Sequence, residues 1–348
     1  MAYTSITKSS LQFSAKSYEG TGSSNAISGL GFEPGWVWVK NYDSTSNHRM
    51  VNAVTGSSEL MASNLTNVGA DSSYFSSFDS DGFTVGTASD TNANGDSFIS
   101  WSWKGATQQS LNSGNVTSTV RANTANGVSV VKWTGTAGNI LVSHGLGAIP
   151  KVVMIKNLSN GSAQWVVYHV GTGNTKACYL NTSATPTTAS GFFNNSTPDA
   201  TDFIVSSDTA VNGSGNNMIA YCFTNIKGFS KHGAYLGSGN SNGPFVYCGF
   251  KPRWVMVKAT DNGGGWTIYD SAREPINDGS YPVLKADGNS ANLTELSSTF
   301  DILSNGFKVR GDASSSDNNA TDSNYIYMAF AEEPLVANVG ESIPATAK

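Results

Sequence analysis

The hydrophobic pattern of the chain returns three times. It reads GFEPGWVWVKN at 31–41, GAIPKVVMIKN at 147–157 and GFKPRWVMVKA at 249–259. In each copy a proline precedes an apolar run that ends in a lysine (Lys40, Lys156 and Lys258). Proline fixes φ and cannot donate to a sheet, so it suits the start of a strand. Because the apolar residues fall on both faces, each run predicts a central strand that is covered on both sides.

Other anchors recur in the same order. An aromatic residue followed by two glycines precedes each proline, and each copy closes on an alternating strand. The aromatic and glycine positions are Tyr18, Gly20 and Gly22; Trp133, Gly135 and Gly138; and Tyr235, Gly237 and Gly239. In the closing strand of the first copy, Trp101 and Trp103 share one face while Ser100 and Ser102 share the other. This alternation predicts that the tryptophans point between the two sheets of a sandwich.

These anchors divide the chain into three segments of roughly one hundred residues each, a size that can bury its own core. We predict that the three have one topology, with Pro34, Pro150 and Pro252 superposing. The predicted division is a polar leader, three β-sandwich repeats separated in one place by a linker, and a C-terminal arm: 1–10, 11–105, 106–126, 127–225, 228–334 and 335–348. The stretch 106–126 is rich in Ser, Thr, Asn and Gln, which predicts a linker that leaves the first repeat freer than the others. The arm has no strand pattern, and we expect it to pack on a neighbouring subunit or another protein.

Composition favours an all-β protein. Glycine is abundant (37 residues) and charged residues make up 13 % of the chain. The net charge of −5 argues against a nucleic-acid-binding surface, which needs a basic face. No apolar run is long enough to predict a membrane span, and the first residues lack the pattern of a signal peptide. Three cysteines, Cys178, Cys222 and Cys248, are too few and irregularly placed for a disulfide framework, so we expect buried free thiols.

Four motifs together resemble a repeat domain common in virion proteins of marine bacteriophages, notably those of cyanobacteria. They are Tyr-x-Gly-x-Gly from Tyr18, the run from Leu30 to Asn41, FDSDGFTVG from Phe78 and SWSWKG from Ser100. The similarity is strong in 11–105, fair in 228–334 and weaker in 127–225. It implies lectin-like jelly rolls of the laminin-G or concanavalin type, in proteins labelled tail fibre or structural protein. The resemblance carries no catalytic residues.

Two kinds of site follow from residue chemistry. Trp165, Tyr168, Trp266 and Tyr269 come just after loops, where they either pack in a core or present rings to a sugar or a partner. The run that starts at Asp90 matches part of a calcium-binding EF loop, but its twelfth position is a tryptophan instead of glutamate. It is therefore either a weak Ca²⁺ site or an Asx-rich turn.

The sequence does not favour an enzyme. It has no paired carboxylates in the pattern of jelly-roll glycosidases and no nucleophile elbow for its histidines to serve. We therefore expect a non-enzymatic virion protein, made in the cytoplasm of a bacterial host and displayed on the particle surface. As a tail or fibre component it would adhere to host polysaccharide, whereas the alternatives are a capsid decoration protein or head appendage and, more remotely, a polysaccharide-degrading enzyme. The expected partners are other virion proteins and further copies of the same chain, as a homo-oligomer or in many copies per particle.

Overall fold

The computed structural model describes residues 4–113, 115–273, 277, 282–294, 300–312 and 315–334. The fold is all-β and consists of antiparallel sheets that pack as sandwiches, as predicted. In the described part of the chain, no helix has the length and apolar character needed to cross a membrane.

The first segment follows a short 3-10 turn, Ser9–Leu11, and contains nine strands and one helical turn. These are β1 (Phe13–Glu19), β2 (Asn25–Ser28), β3 (Pro34–Asn41), β4 (Arg49–Asn52), β5 (Gly56–Met61), β6 (Val68–Ala70), β7 (Phe75–Asp79), β8 (Gly82–Val85), α1 (Ser89–Asn92) and β9 (Ser97–Lys104). The large sheet has the order β1-β9-β3-β4-β5-β6, and the small sheet has the order β2-β8-β7.

The second segment has a larger main sheet. Its elements are β10 (Gln109–Ser113), β11 (Val116–Asn123), β12 (Val128–Thr134), β13 (Ile140–Ser143), β14 (Val152–Asn157), β15 (Val166–His169), β16 (Lys176–Tyr179), β17 (Thr187–Thr188), α2 (Ser190–Phe193), β18 (Asp202–Val205), α3 (Thr209–Asn212) and β19 (Asn217–Phe223). The large sheet has the order β10-β11-β12-β19-β14-β15-β16-β17, and β13 pairs with β18 in the small sheet.

The third segment repeats the strand order of the first. Its strands are β20 (Ser230–Leu236), β21 (Phe245–Tyr247), β22 (Phe250–Ala259), β23 (Trp266–Asp270), β24 (Pro282–Lys285), β25 (Leu293–Thr294), β26 (Phe300–Leu303), β27 (Gly306–Val309) and β28 (Asn324–Pro334). The large sheet has the order β20-β28-β22-β23-β24-β25, and the small sheet has the order β21-β27-β26. In every segment the last strand (β9, β19 or β28) therefore lies between the strand that carries the aromatic-glycine anchor (β1, β12 or β20) and the strand of the apolar run (β3, β14 or β22).

The strands of the three apolar runs are buried on both faces, as the sequence predicts, although β22 begins two residues before Pro252 instead of after it. Every residue of β3 and β14 is buried, and so is nearly every residue of β22. One face packs against the small sheet of the same segment. In the first segment Val37 and Val39 pack there with Phe83 and Phe98.

The other face of each large sheet packs against the other segments. Trp36 and Trp103 of the first segment meet rings of the second and third: Trp36 and Tyr221 have centroids 4.7 Å apart, and Trp103 and Phe330 have centroids 5.5 Å apart. Trp254 joins the same cluster, 6.0 Å from Trp103. We call this shared cluster the central core. The prediction that the tryptophans point between the two sheets of their own sandwich is therefore wrong, because valines and Phe98 fill that space.

The paired glycines after the aromatic residue mark a close approach of two backbones. Gly20 donates to the carbonyl of Asp96, and Gly22, at φ 68°, donates to that of Asn92. A Cβ on Gly20 would lie 2.0 Å from the Ala93 carbonyl oxygen, so a side chain does not fit. In the second segment the second donor is Ala137 at φ 60°, and not the predicted Gly138.

The predicted linker is a β-hairpin. Strand β11 pairs with β12 from Thr119 opposite Lys132 to Asn123 opposite Val128, and β10 pairs outside β11. The prediction of a linker from the polar composition is wrong because a hairpin at a sheet edge needs few apolar residues. The residues that pack on the core of the second segment are Leu111, Val116, Val120 and Ala122. The first segment is not held by a linker alone, since its large sheet shares the central core.

The leader contributes a residue to the interior. The leader is polar, yet Ile6 is buried and belongs to the central core. The C-terminal arm, 335–348, lies outside the described residues.

Cys178, Cys222 and Cys248 are buried and free, as predicted, and burial raises the pKa of the Cys178 thiol to about 12.

Candidate functional site

The four aromatic residues singled out from the sequence are buried. Trp165, Tyr168, Trp266 and Tyr269 are each at most 2 % exposed. Tyr269 stacks on Phe300 with centroids 4.3 Å apart. None of the four can present a ring to a sugar, so the packing alternative is the correct one. They come after loops in sequence, but each lies at or next to a strand of a large sheet that is covered on both faces.

Trp165 and Trp266 instead join neighbouring segments. The Nε1–H of Trp165 donates to the carbonyl oxygen of Ala62 over 2.9 Å, and the Nε1–H of Trp266 donates to that of Tyr179 over 2.8 Å. Each donor lies at the start of the strand that follows the apolar run (β15 or β23), and each acceptor lies at or just after the end of the next strand in the preceding segment (β5 or β16). The same hydrogen bond therefore forms at two of the three seams between segments.

A histidine makes the corresponding bond at the third seam. His48 directly precedes β4, and its Nε2 lies 2.9 Å from the carbonyl oxygen of Lys285, at the end of β24. The Nε1–H of Trp38 donates to Nδ1 of His48 over 2.8 Å, so Nε2 carries the ring proton and donates to Lys285. Burial lowers the pKa of His48 well below its usual value, which keeps the ring neutral. The first segment thus closes a ring of three equivalent seams.

A second polar contact accompanies the first at every seam. In each case it joins the end of the strand that follows the apolar run (β4, β15 or β23) to the closing strand of another segment (β19, β28 or β9). The pairs are Asn52 Nδ2 with Tyr221 Oη at 3.0 Å, His169 Nε2 with the Tyr327 carbonyl at 3.1 Å, and Trp101 Nε1 with Asp270 Oδ2 at 3.3 Å. The seams are therefore built from specific hydrogen bonds as well as from apolar packing.

The lysine that ends each apolar run is also structural. Lys40, Lys156 and Lys258 are fully buried, and their ammonium groups donate to backbone carbonyl oxygens. Lys258 reaches the Ser183 carbonyl of the second segment over 3.2 Å. Burial lowers the pKa of Lys40 and of Lys156 to about 8. These lysines hold loops together and are not available to a ligand.

The EF-like run around Asp90 forms the short helix α1 instead of an open loop. The Oδ2 of Asp90 accepts from Arg49 Nη2 at 2.5 Å, and its Oδ1 accepts from Ser46 Oγ at 2.7 Å. Asn92 is turned away to bind the backbone of Thr21 and Gly86. The oxygens that an EF loop would direct at one ion are therefore engaged by separate protein donors. Among the described residues, no group of three or more His, Cys, Asp or Glu side chains is arranged to hold a metal ion.

The structure exposes a different pair of rings. In β21, Val246 points into the third sandwich, whereas Phe245 and Tyr247 point outward and are 45 % and 47 % exposed. Residues two apart on a strand lie on one face, about 7 Å from each other. We call Phe245 and Tyr247 the aromatic platform. Exposed aromatic rings of this kind can stack on the apolar face of a ligand.

The neighbours of the aromatic platform leave it open and make it basic. Lys308 lies directly opposite Phe245, and Gly306 lies opposite Tyr247. A Cβ on Gly306 would lie 2.1 Å from the Val246 carbonyl oxygen, so this position has no side chain that could cover Tyr247. Lys231 donates from Nζ to the Tyr247 carbonyl over 2.5 Å, and its Nζ lies 5.2 Å from the centroid of the Tyr247 ring.

The other two segments have no aromatic platform. Each small sheet has a phenylalanine at the same place, Phe83, Phe203 or Phe307. The residue opposite it, which points inward, is Ile27, Val142 or Val246. The outward residues beside it are Ala26 and Ser28, Leu141 and Ser143, and Phe245 and Tyr247. Alignment of the three copies on Phe83, Phe203 and Phe307 is a sequence signal that could have identified the outward aromatics.

The fold and site describe an all-β protein of three sandwich segments around a common core, with one exposed aromatic face on the third. The chain belongs to the family described as domain of unknown function DUF7483, whose model matches residues 8–334. No curated protein matched the chain.

Proposed function

We propose that this chain is a non-enzymatic adhesion protein of a bacteriophage particle, a tail or fibre component that holds host-surface glycan. The observation that carries the proposal is the aromatic platform, which places Phe245 and Tyr247 side by side on the outside of a rigid sheet. Exposed aromatic rings that a fold does not need for packing cost solubility, and they are typical of binding surfaces. The virion setting comes from the motif resemblance described above.

Adhesion through this site depends on many copies. Two rings on a flat sheet bury little of a ligand, so a single platform binds weakly. Display of many chains on one particle makes each further contact intramolecular and raises the overall affinity by orders of magnitude. The proposal therefore includes a multicopy arrangement on the virion surface.

The test compares monomeric and clustered protein. The purified chain, free or coupled at high density to beads, is applied to surfaces coated with bacterial lipopolysaccharide, alginate or dextran. We expect weak binding of the monomer, strong binding of the beads to at least one glycan, and no release of reducing ends. The double substitution Phe245→Ala with Tyr247→Ala should lower bead binding at least tenfold, whereas Ser28→Ala, at the equivalent face of the first segment, should not change it.

Two outcomes would overturn the proposal. If the beads bind none of the three glycans, or bind equally well with and without the two rings, the aromatic platform is not an adhesion site. Release of reducing ends would identify an enzyme instead.

A capsid decoration protein or head appendage is the second candidate. It is favoured by the shape of the described residues, whose α-helices are single turns of four residues and which include no coiled-coil shaft. The position of the protein in an electron-microscopy map of the virion distinguishes the two roles.

A further inference from the structure

We infer that the aromatic platform takes an acidic glycan, one that carries carboxylate or sulfate groups. This inference rests on the proposed function and names the class of ligand for the same site. It is carried by the charge around the two rings, which is opposite in sign to that of the whole chain.

Among the described residues of β20, β21, β26 and β27, together with Arg310 directly after β27, there are three cations and one carboxylate. The cations are Lys231, Lys308 and Arg310, and the carboxylate is Asp301. Arg310 Nε lies 2.6 Å from Asp301 Oδ2, so this pair compensates itself. The two lysines remain as a local charge of +2, in a chain whose net charge is −5.

Both lysines are placed where a ligand on the rings would meet them. Lys308 and Phe245 are directly paired across two strands, which brings their Cβ atoms to about 5 Å of each other on the outer face. The Lys231 ammonium lies 5.2 Å from the centroid of the Tyr247 ring. A sugar stacked on the platform would therefore have one lysine residue beside each ring.

The first segment has a lysine equivalent to Lys231, namely Lys16, but no lysine at the position of Lys308. Thr84 lies opposite Ala26, where the third segment has Lys308 opposite Phe245. The hydroxyl of Thr84 donates to Asp79 over 2.8 Å, and so does that of Ser77. In the second segment Ile204 lies opposite Leu141. A lysine opposite an outward aromatic thus occurs in the third segment alone, which indicates that the rings and the cation serve one ligand.

The physical expectation is a binding step that depends on salt. Hydrogen bonds from an ammonium group to a carboxylate or sulfate are stronger than neutral ones, but at an exposed site they are screened by added ions. Ring stacking on a neutral sugar would not depend on salt in this way. Salt dependence and charge dependence therefore separate the two kinds of ligand.

The test uses alginate, a polymer of carboxylated sugars, and dextran, a neutral polymer, as probes for protein clustered on beads. We expect the beads to prefer alginate at least tenfold at low salt and to lose most of this preference in roughly 0.5 M NaCl, where the Debye length falls to a few ångströms. Lys308→Gln should weaken alginate binding about fivefold. Lys176→Gln, which removes an exposed lysine from the second segment, should leave it unchanged.

Failure of this inference is distinguishable from failure of the proposed function. Equal binding to dextran and alginate that still requires Phe245 and Tyr247 would overturn the acidic ligand and leave adhesion intact. Alginate binding that Lys308→Gln and Lys176→Gln weaken equally would show general charge attraction and also overturn it. Beads that bind neither polymer nor lipopolysaccharide would overturn both.

Discussion

The three segments resemble one another more closely on their inner surfaces than on their outer surfaces. On the inside, each segment turns the same face of its large sheet to the central core, and polar contacts form at two equivalent positions of each seam, although the residues differ. On the outside, the equivalent positions of the small sheets hold Ala26 and Ser28, Leu141 and Ser143, or Phe245 and Tyr247. The inner positions are apolar in every copy but differ in residue, for example Trp36, Val152 and Trp254, because three surfaces must fit one another there. The outer positions of the first and third segments face solvent, whereas Ser143 of the second segment is buried and donates to Asp202.

The edge strands show the same contrast. In the second segment, the hairpin of β10 and β11 covers β12 and packs near the small sheet. In the first and third segments a lysine bridges the corresponding gap: Lys16 donates to the Ser28 carbonyl, and Lys231 donates to that of Tyr247. Lysine on an open edge discourages pairing with another strand. The hairpin extends the sheet by backbone hydrogen bonds, whereas the lysine leaves the adjacent small sheet accessible.

The largest effect should come from the shared interior. Trp36→Ala removes a ring that contacts Trp103 at 4.0 Å and Tyr221 of the second segment at 4.7 Å. We expect the free energy of unfolding to fall by about 3–5 kcal/mol, because the cavity lies between segments and cannot collapse. Urea denaturation followed by circular dichroism measures this, with Phe245→Ala as a surface control that should change little.

The same experiment tests whether the three segments unfold together. A shared core predicts one transition, with coincident near-ultraviolet and far-ultraviolet signals. Separate transitions for the wild type would contradict the central core as a single unit.

A smaller loss of unfolding free energy should occur when the pH is lowered, because His169 lies at the seam between the second and third segments. Burial lowers the pKa of His169 to about 4, below the usual value of 6.5. The unfolded chain therefore takes up this proton first, and the stability contributed by neutral His169 is present above pH 6.5 and is lost as the pH falls towards 4. Between pH 7 and pH 4.5 we expect the loss from this residue to be roughly 2 kcal/mol.

His169→Gln isolates this contribution, since glutamine keeps a donor for the Tyr327 carbonyl and does not titrate. The unfolding free energy of the variant should fall less than that of the wild type over the same pH range. An equal fall in both proteins would assign the acid sensitivity to other groups.

Removal of one seam hydrogen bond should cost less again. Trp165→Phe keeps most of the ring but leaves the Ala62 carbonyl without the donor it now has at 2.9 Å. We expect a loss of about 1 kcal/mol in unfolding free energy. The corresponding Trp266→Phe should cost about the same if the seams are equivalent, and a difference of several kcal/mol between the two would argue that they are not.

The smallest change in stability is expected when the aromatic platform is copied by substitution onto the first segment. Ala26→Phe, Ser28→Tyr and Thr84→Lys together copy the aromatic platform and its lysine onto the first segment. Because these positions are outside the cores, the unfolding free energy should change by less than about 1 kcal/mol. Bead binding to alginate should nevertheless increase, whereas no increase would show that the third segment supplies something beyond these three residues.

Much of the fold could be predicted from residues near one another in sequence. The proline-led apolar runs predicted strands buried on both faces, since apolar side chains at odd and even positions leave neither face for water. The recurrence of these runs predicted a common strand order. The first aromatic-glycine pairs were recognisable because only glycine permits such a close backbone approach.

Other features depended on contacts between distant residues. Alternation in β9 separates Trp101 from Ser100, but period two does not say which face meets the partner sheet and which meets another segment. The polar stretch 106–126 looked like a linker because an edge hairpin gains its order from the strand beside it. Phe245 and Tyr247 looked like any strand aromatics until the position of Val246 showed which face was inside. The sequence by itself thus determined the strands and their two faces, whereas only the tertiary structure decided what each face touches, because that depends on how three sheets fit around one core.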